Sequence, residues 1–246
     1  VLLFEIKKFK SEFKSDNKTF INLSILIGIS LFLGSALQQV ALLHTDVANA
    51  AFFTIFYVPM VPIIIFLFKR TSIHWSVWPS VVLCLIGGYL LTNFYDATVR
   101  LGDSLVILGA LFWSTHIIFT GIIVKKYDLP LTIGAVQTLI VASFSFVIAL
   151  IYEEFIFIEI MKEINSILYA GILSGGFAFV LQIYAQKNIA PAPAAIIFSL
   201  EGVFATIAAW YILNQILDIN NLLGCLFILC GVLLSQLLPL VQKRYS

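Results

Sequence analysis

The stretch LQQVALLHTDVANAA (37–51) returns 144 positions later as LQIYAQKNIAPAPAA (181–195). Without a gap, that offset pairs Leu37 and Gln38 with Leu181 and Gln182, Ala41 with Ala185, Ala48 with Ala192, and Ala50 and Ala51 with Ala194 and Ala195. It continues into Leu85 with Leu229, Gly87 with Gly231 and Leu90 with Leu234. Apolar matches are cheap in a chain this hydrophobic, but Gln on Gln and Gly on Gly at one constant offset are not. The chain therefore carries an internal duplication.

The surroundings of the two copies define the solvent. Of the 246 residues 61% are hydrophobic and 11% charged, and the mean hydropathy is +1.05. Soluble domains are roughly 45–50% apolar and about 25% charged. A chain this apolar has too few polar side chains to cover a surface in water, so lipid is its solvent. Disordered, collagen-like and disulfide-scaffold classes are excluded. A net charge of +1 with no basic stripe excludes a nucleic-acid binder. Cys84, Cys225 and Cys230 sit inside apolar runs without metal-type spacing and read as small apolar residues.

A bilayer core about 30 Å thick needs roughly 20 apolar residues in a helix. Eight such runs lie between polar breaks: 20–43, 48–68, 75–91, 103–124, 131–151, 164–184, 193–213 and 221–240. Unbroken runs of this length, in place of alternating segments of about ten residues, specify helices over a barrel. With the loops taken alternately, twelve of the fourteen Lys and Arg fall on one side, and Arg100 and Lys162 alone on the other. The positive-inside bias puts the lysine-rich start and the C-terminus in the cytoplasm of a multi-pass cell-membrane protein. The acidic connections 96–103 and 153–163 then face out. Trp75 and Trp78 read as interfacial anchors, and Gly28, Gly34, Gly87, Gly88, Gly175, Gly176 and Gly231 as close-packing positions.

Under the offset, the first span matches the sixth, the second the seventh and the third the eighth. Five spans separate equivalent elements, and an odd number inverts the copy in the membrane. Inverted repeats are the architecture of secondary transporters, with the substrate site near mid-membrane between the halves. The expected organisation is a lysine-rich cytoplasmic segment (1–18), a partial first repeat of three helices (19–100) and a complete second repeat of five (101–242). Residues 1–18 read as the cytoplasmic end of a preceding helix or as an interfacial amphipathic segment, the first being favoured.

Several separated motifs carry a family resemblance. GDSLVILGALFWSTHIIFTG (102–121), FVLQIYAQKNIAPAPAAIIFSLEGVFATIAAW (179–210), GCLFILCGVLLSQ (224–236) and TDVANAAFFTIFYVPMVPII (45–64) resemble EamA-type members of the drug/metabolite transporter superfamily. The resemblance implies ten helices in two inverted five-helix repeats, and movement of small metabolites or drugs. It also implies that the first helix and most of the second are lacking here. Gly202 stands where the family usually carries Pro after the acidic residue, which leaves the family's kink unsupported at that point.

Few residues can carry chemistry inside the spans. Glu201 is the one acidic residue well within a run, some 12 Å deep at about 1.5 Å per residue. A charge there costs roughly 2.5–3.5 kcal/mol. It must face a watery cavity, find a partner or be protonated, and reads as a substrate-amine or proton site or as a neutral helix lock. His116, beside Trp113 and one turn before Thr120, reads as a proton relay, a hydrogen-bonding ligand group or a packing residue. No Cys, carboxylate or second His stands at triad or metal-ligand spacing around it. Gln38 and its repeat equivalent Gln182, with Gln186 one turn on, offer donors and acceptors without charge, either as cavity lining or as helix glue. Gln137 and Tyr57 are further candidates. Pro59 and Pro62 should kink their helix, as a gate or as a fixed bend.

The expectation is an all-α polytopic membrane protein, with eight spans from a ten-helix architecture, that works as a secondary transporter without cofactor, metal or catalytic residues. No P-loop is present, so ATP drive is not expected. Its partners are the lipid bilayer, a small-molecule substrate and protons, with a homodimer left open. Two rivals remain: a membrane-embedded enzyme using Glu201 and His116, and a truncated protein that transports nothing.

Overall fold

The computed structural model describes residues 2–69, 73–92 and 100–245. Arg70 and Asp96, assigned above to opposite sides of the membrane, lie outside the described residues. Among those described, all regular structure is helical. Helix α1 (Leu2–Ala41) is followed by α2 (Val47–Thr54) and α3 (Tyr57–Lys69), which form one broken span, and by α4 (Val77–Leu91). Helices α5 (Leu101–Tyr127) and α6 (Pro130–Tyr152) are long. The short α7 (Phe157–Lys162) and α8 (Ile164–Leu168) lead through a π-helical stretch (Tyr169–Ala178) into α9 (Phe179–Gln186). A second broken span, α10 (Pro191–Phe198) and α11 (Leu200–Leu213), precedes α12 (Ile219–Tyr245).

Seven of the eight expected spans are long and apolar enough to cross a bilayer among the described residues. The exception is the third. Helix α4 has 15 residues and rises about 22 Å at 1.5 Å per residue, short of a 30 Å core. The lysine-rich start is continuous with the first span inside α1.

The chain divides into two compact units. The first holds residues 2–33 and Phe119–Ile189. Its core gathers Phe20, Ile27, Ile123, Val124, Tyr127, Leu129, Ile133 and Ile183 from α1, α5, α6 and α9. Small residues set the approach: a Cβ on Gly28 would stand 2.8 Å from Ile140, and one on Gly134 would stand 2.8 Å from Val180. Asp128, with φ of 52°, turns α5 into α6. The open N-terminus of α6 is capped from a distance. Glu5 of α1 accepts the Leu131 and Thr132 amides at 3.2 and 2.8 Å and the Thr132 hydroxyl at 2.7 Å.

The second unit holds Gly34–Ile118 and residues 190–245, and its two broken spans have matching local backbones. Helices α2 and α10 cover equivalent residues under the 144-residue offset. Their N-cap residues, Asp46 (φ −75°, ψ 149°) and Ala190 (φ −70°, ψ 151°), share one conformation. So do the breaks, at Ile55 (φ −58°, ψ −15°) and Ser199 (φ −61°, ψ −14°). Past each break the same tightened bond forms, Val58 N–H to the Ile55 carbonyl at 2.9 Å and Gly202 N–H to the Ser199 carbonyl at 3.2 Å.

Helices α4 and α12 are also repeat equivalents, and they pack on each other. A Cβ on Gly87 would stand 2.7 Å from the Gly224 carbonyl oxygen and 2.6 Å from Ile228. A Cβ on Gly231 would stand 2.9 Å from both the Ser80 carbonyl oxygen and Cys84. Subtracting the offset maps Gly231, Gly224 and Ile228 onto Gly87, Ser80 and Cys84, so the second contact is the first seen from the other repeat. The pair runs antiparallel: His74, just before α4, meets Gln242 near the end of α12, and Asn221, at the start of α12, donates to the Leu91 carbonyl that ends α4.

Candidate functional site

The ten candidate residues divide between the units. Gln38, Tyr57, Pro59, Pro62, Trp113, His116 and Glu201 belong to the second; Gln137, Gln182 and Gln186 belong to the first. In the first unit Gln137 and Gln186 are fully buried and Gln182 is half-buried.

In the second unit the two helix breaks form the centre. Proline explains the first. Pro59 has no N–H to give Ile55, its ring would strike the Ile55 carbonyl in a continuous helix, and that carbonyl bonds Val58 instead. Pro59 thus sets the break before α3 and occupies its first turn without kinking it, while Pro62 is the proline inside the helix. The second break has no proline after it and persists through Ser199. Its hydroxyl donates to the Ile196 carbonyl at 2.6 Å, and it lies 3.4 Å from Cys84 Sγ. With no proline there, the Ser199 hydroxyl competes for the backbone at this break.

Tyr57 and Glu201 stand at equivalent positions two residues past the two breaks. Tyr57 is 7% exposed, whereas Glu201 is exposed. Among the described residues the Glu201 carboxylate makes no hydrogen bond and no ion pair.

Polar and aromatic side chains of the second unit make further contacts. Gln38 donates to the Thr54 hydroxyl at 3.4 Å, and Thr54 donates to the Ala50 carbonyl, so the end of α1 is tied to the last turn before the break. The Ser114 hydroxyl lies 3.4 Å from the Tyr57 carbonyl. His116 is fully buried and meets the Trp113 edge at 6.2 Å, and the indole lies over Gly34, where a Cβ would stand 3.2 Å away. The rings of Phe52, Phe53 and Phe56 pack together around the first break.

Two charged clusters escaped the sequence reading. Asp103, expected to end a solvated outer connection, is fully buried. It accepts from the Thr45 hydroxyl, from Asn49 at 3.4 Å and from the Arg100 amide at 2.6 Å, while the Arg100 side chain pairs with Asp46 at 2.8 Å. Asp128, in the first unit, holds Lys187 at 2.5 Å and Lys8 at 2.6 Å. Hydrogen bonds from Lys187 and then Lys8 keep the Asp128 carboxyl below the usual range, and the Asp128 carboxylate raises Lys187. Gly175 and Gly176, expected at a helix contact, approach only carbonyls of their own π-helical turn.

The described residues form an all-helical polytopic membrane fold with apolar spans, two broken helices and a mid-span carboxylate. Residues 100–237 match the EamA-like transporter family, and the chain belongs to that family. An uncharacterized transporter of Archaeoglobus fulgidus is 30% identical over 217 residues, covering 86% of this chain and 67% of the relative. The uncharacterized transporter YoaV of Bacillus subtilis is 29% identical over 147 residues, covering 57% of this chain and 48% of the relative. One solved crystal structure superposes with a TM-score of 0.76 at 15% identity, over 87% of this chain and 75% of that one, which shows a shared fold.

Proposed function

We propose that the chain is a secondary transporter of the cell membrane, with its C-terminus in the cytoplasm, that moves small metabolites or drugs by alternating access between two inverted repeats. The observation that carries this reading is the self-mapping antiparallel contact of α4 with α12, in which Gly87 against Gly224 and Ile228 repeats as Gly231 against Ser80 and Cys84. A two-fold axis between inverted copies is what allows a carrier to exchange two mirror-related states around one site.

A departure from symmetry adds support. Helix α3 packs on α10, and the charge-derived orientation puts both in the cytoplasmic half. The equivalent outer pair, α11 and α2, does not reach that packing among the described residues. One half closed and its counterpart loose is what a carrier resting in one state leaves behind. Tyr57, Glu201, Trp113, His116 and Gln38 of the second unit are the candidate substrate-contacting residues there, and Gln137, Gln182 and Gln186 are those of the first unit taken by itself. Proton coupling would run through Glu201 or His116.

The test uses purified protein in two steps. A thermal-shift panel of amino acids, nucleosides and organic cations finds a ligand of the folded form, and that ligand is then taken into proteoliposome counterflow. The reading expects uptake of labelled ligand to accelerate when unlabelled ligand is trapped inside. Ligand that stabilises the protein yet shows no exchange above protein-free liposomes contradicts it.

A further inference from the structure

We infer that α4 is the common seat of the two helix breaks, and that its Gly88 and Cys84 are the positioning residues through which a shift at one break reaches the other. The inference concerns the second unit alone and stands without the carrier reading. Three contacts lead to it. Gly88 is buried, and a Cβ there would collide with Ile55 Cδ1, so the residue at the first break fills the notch that a glycine leaves. One turn earlier on α4, the fully buried Cys84 has its Sγ 3.4 Å from the hydroxyl of Ser199, the residue at the second break. Leu91 extends the same face: a Cβ on Gly202, just past the second break, would stand 3.4 Å from Leu91 Cδ1. Cys84, Gly88 and Leu91 follow one another at i, i+4 and i+7, one stripe of a helix.

Ile55 and Ser199 are equivalent under the offset, so strict symmetry would seat one on α4 and the other on α12. The offset maps Gly88 onto Val232 and Cys84 onto Ile228. Where α4 has a notch, α12 has a β-branched side chain, and Ser199 meets α4 one turn from Ile55 instead. The neighbouring face of α4 is backed by α12, through Gly87 against Gly224 and the Ser80 carbonyl against Gly231. Close-packed interiors compress little and pass displacement on. Ile55 therefore cannot shift in its notch without disturbing the turn on which Ser199 rests. In a carrier whose two repeats exchange roles, such a link makes the two breaks change together.

The test reads both breaks by amide hydrogen exchange on the detergent-purified full chain. Gly88→Ala pushes Ile55 out of its notch, and Ile55→Val removes the atom that the new methyl strikes. Gly88→Ala should speed exchange of amides 55–58. It should also speed that of amides 199–202, which it does not touch, by at least about tenfold, equal to about 1.4 kcal/mol of local opening. Adding Ile55→Val should restore both breaks, the non-additivity of a contacting pair, whereas a general loss of stability would only deepen with a second truncation. A second arm decides even where Gly88→Ala does not fold. With Cys225 and Cys230 replaced by serine, Ser199→Cys should form a disulfide with the native Cys84 on mild oxidation. The bond should slow exchange at 199–202 and at 55–58 alike, and reduction should reverse both. A change confined to the break whose own contact was altered, no rescue by Ile55→Val, or no disulfide overturns the inference. Counterflow is a separate reading: linked breaks in a protein that exchanges no ligand contradict the carrier alone.

Discussion

One methyl group at Gly224 probes the helix pair on which the symmetry argument stands. A Cβ there would lie 2.7 Å from the Gly87 carbonyl oxygen, 2.8 Å from Leu91 Cγ and 2.9 Å from the Leu91 amide. Two of these neighbours are backbone, which cannot rotate away as a side chain can. Relief requires α4 and α12 to separate, at the typical cost of overpacking, about 1–3 kcal/mol. At about 2–4 °C per kcal/mol for a chain of this size, Gly224→Ala should lower the unfolding midpoint by roughly 2–12 °C. Gly87→Ala, facing the same carbonyl pair, and Gly231→Ala, facing Ser80 and Cys84 at 2.9 Å, should do the same. Gly171 has nothing within 4 Å of a Cβ, and Gly171→Ala should leave the midpoint unchanged or slightly raised, since alanine forms helix more readily. The assay is thermal unfolding of the four variants in one detergent. Midpoints for Gly224→Ala and Gly87→Ala within a degree of wild type, or a larger loss at Gly171, would refute the packing argument.

Three further outcomes follow from other parts of the molecule. Asp128→Asn should lower the thermal midpoint modestly at pH 7. Because the Asp128 carboxyl is depressed, its contribution is present above the ordinary carboxylate range and lost as pH falls through its lowered value, so the difference from wild type should vanish in strong acid and shrink in 1 M salt. Lys187 is raised, so its share persists up to alkaline pH and is lost only above the ordinary lysine range. Asp103→Ala removes the acceptor of the Thr45 hydroxyl, the Asn49 side chain and the Arg100 amide and should cost on the order of 3 kcal/mol, read by denaturant titration, with Asp103→Asn milder. Pro59→Ala restores an N–H for the Ile55 carbonyl and lets α2 run on into α3; counterflow should slow while the thermal midpoint holds, and unchanged counterflow would remove the break from the mechanism.

The spans were legible because hydropathy depends on length and composition alone, and the duplication because Gln38, Gln182, Gly87 and Gly231 are costly coincidences in an apolar background. The first break was legible in Pro59, although its position before the proline follows from the ring's clash with the fourth preceding carbonyl. The second break was not, since Ser199 is an ordinary residue until its hydroxyl is seen on the Ile196 carbonyl. The π-helical stretch from Tyr169 to Ala178 left no periodic mark, because its glycines satisfy helix and π-turn alike. Asp103 read as the end of an outward-facing connection and Asp128 drew no reading, because what makes them structural, the Thr45 hydroxyl and the two lysines, lies far away in the chain.

Whether a wet path reaches the centre from each side is the most direct test of the account. With Cys225 and Cys230 replaced by serine and the buried Cys84 kept, Glu201→Cys is reconstituted in sealed vesicles and exposed to a membrane-impermeant maleimide from one side at a time. Alternating access predicts labelling from both sides, with the ratio shifting when a transported ligand is present. Labelling from neither side, or from one side alone whatever the ligand, contradicts it.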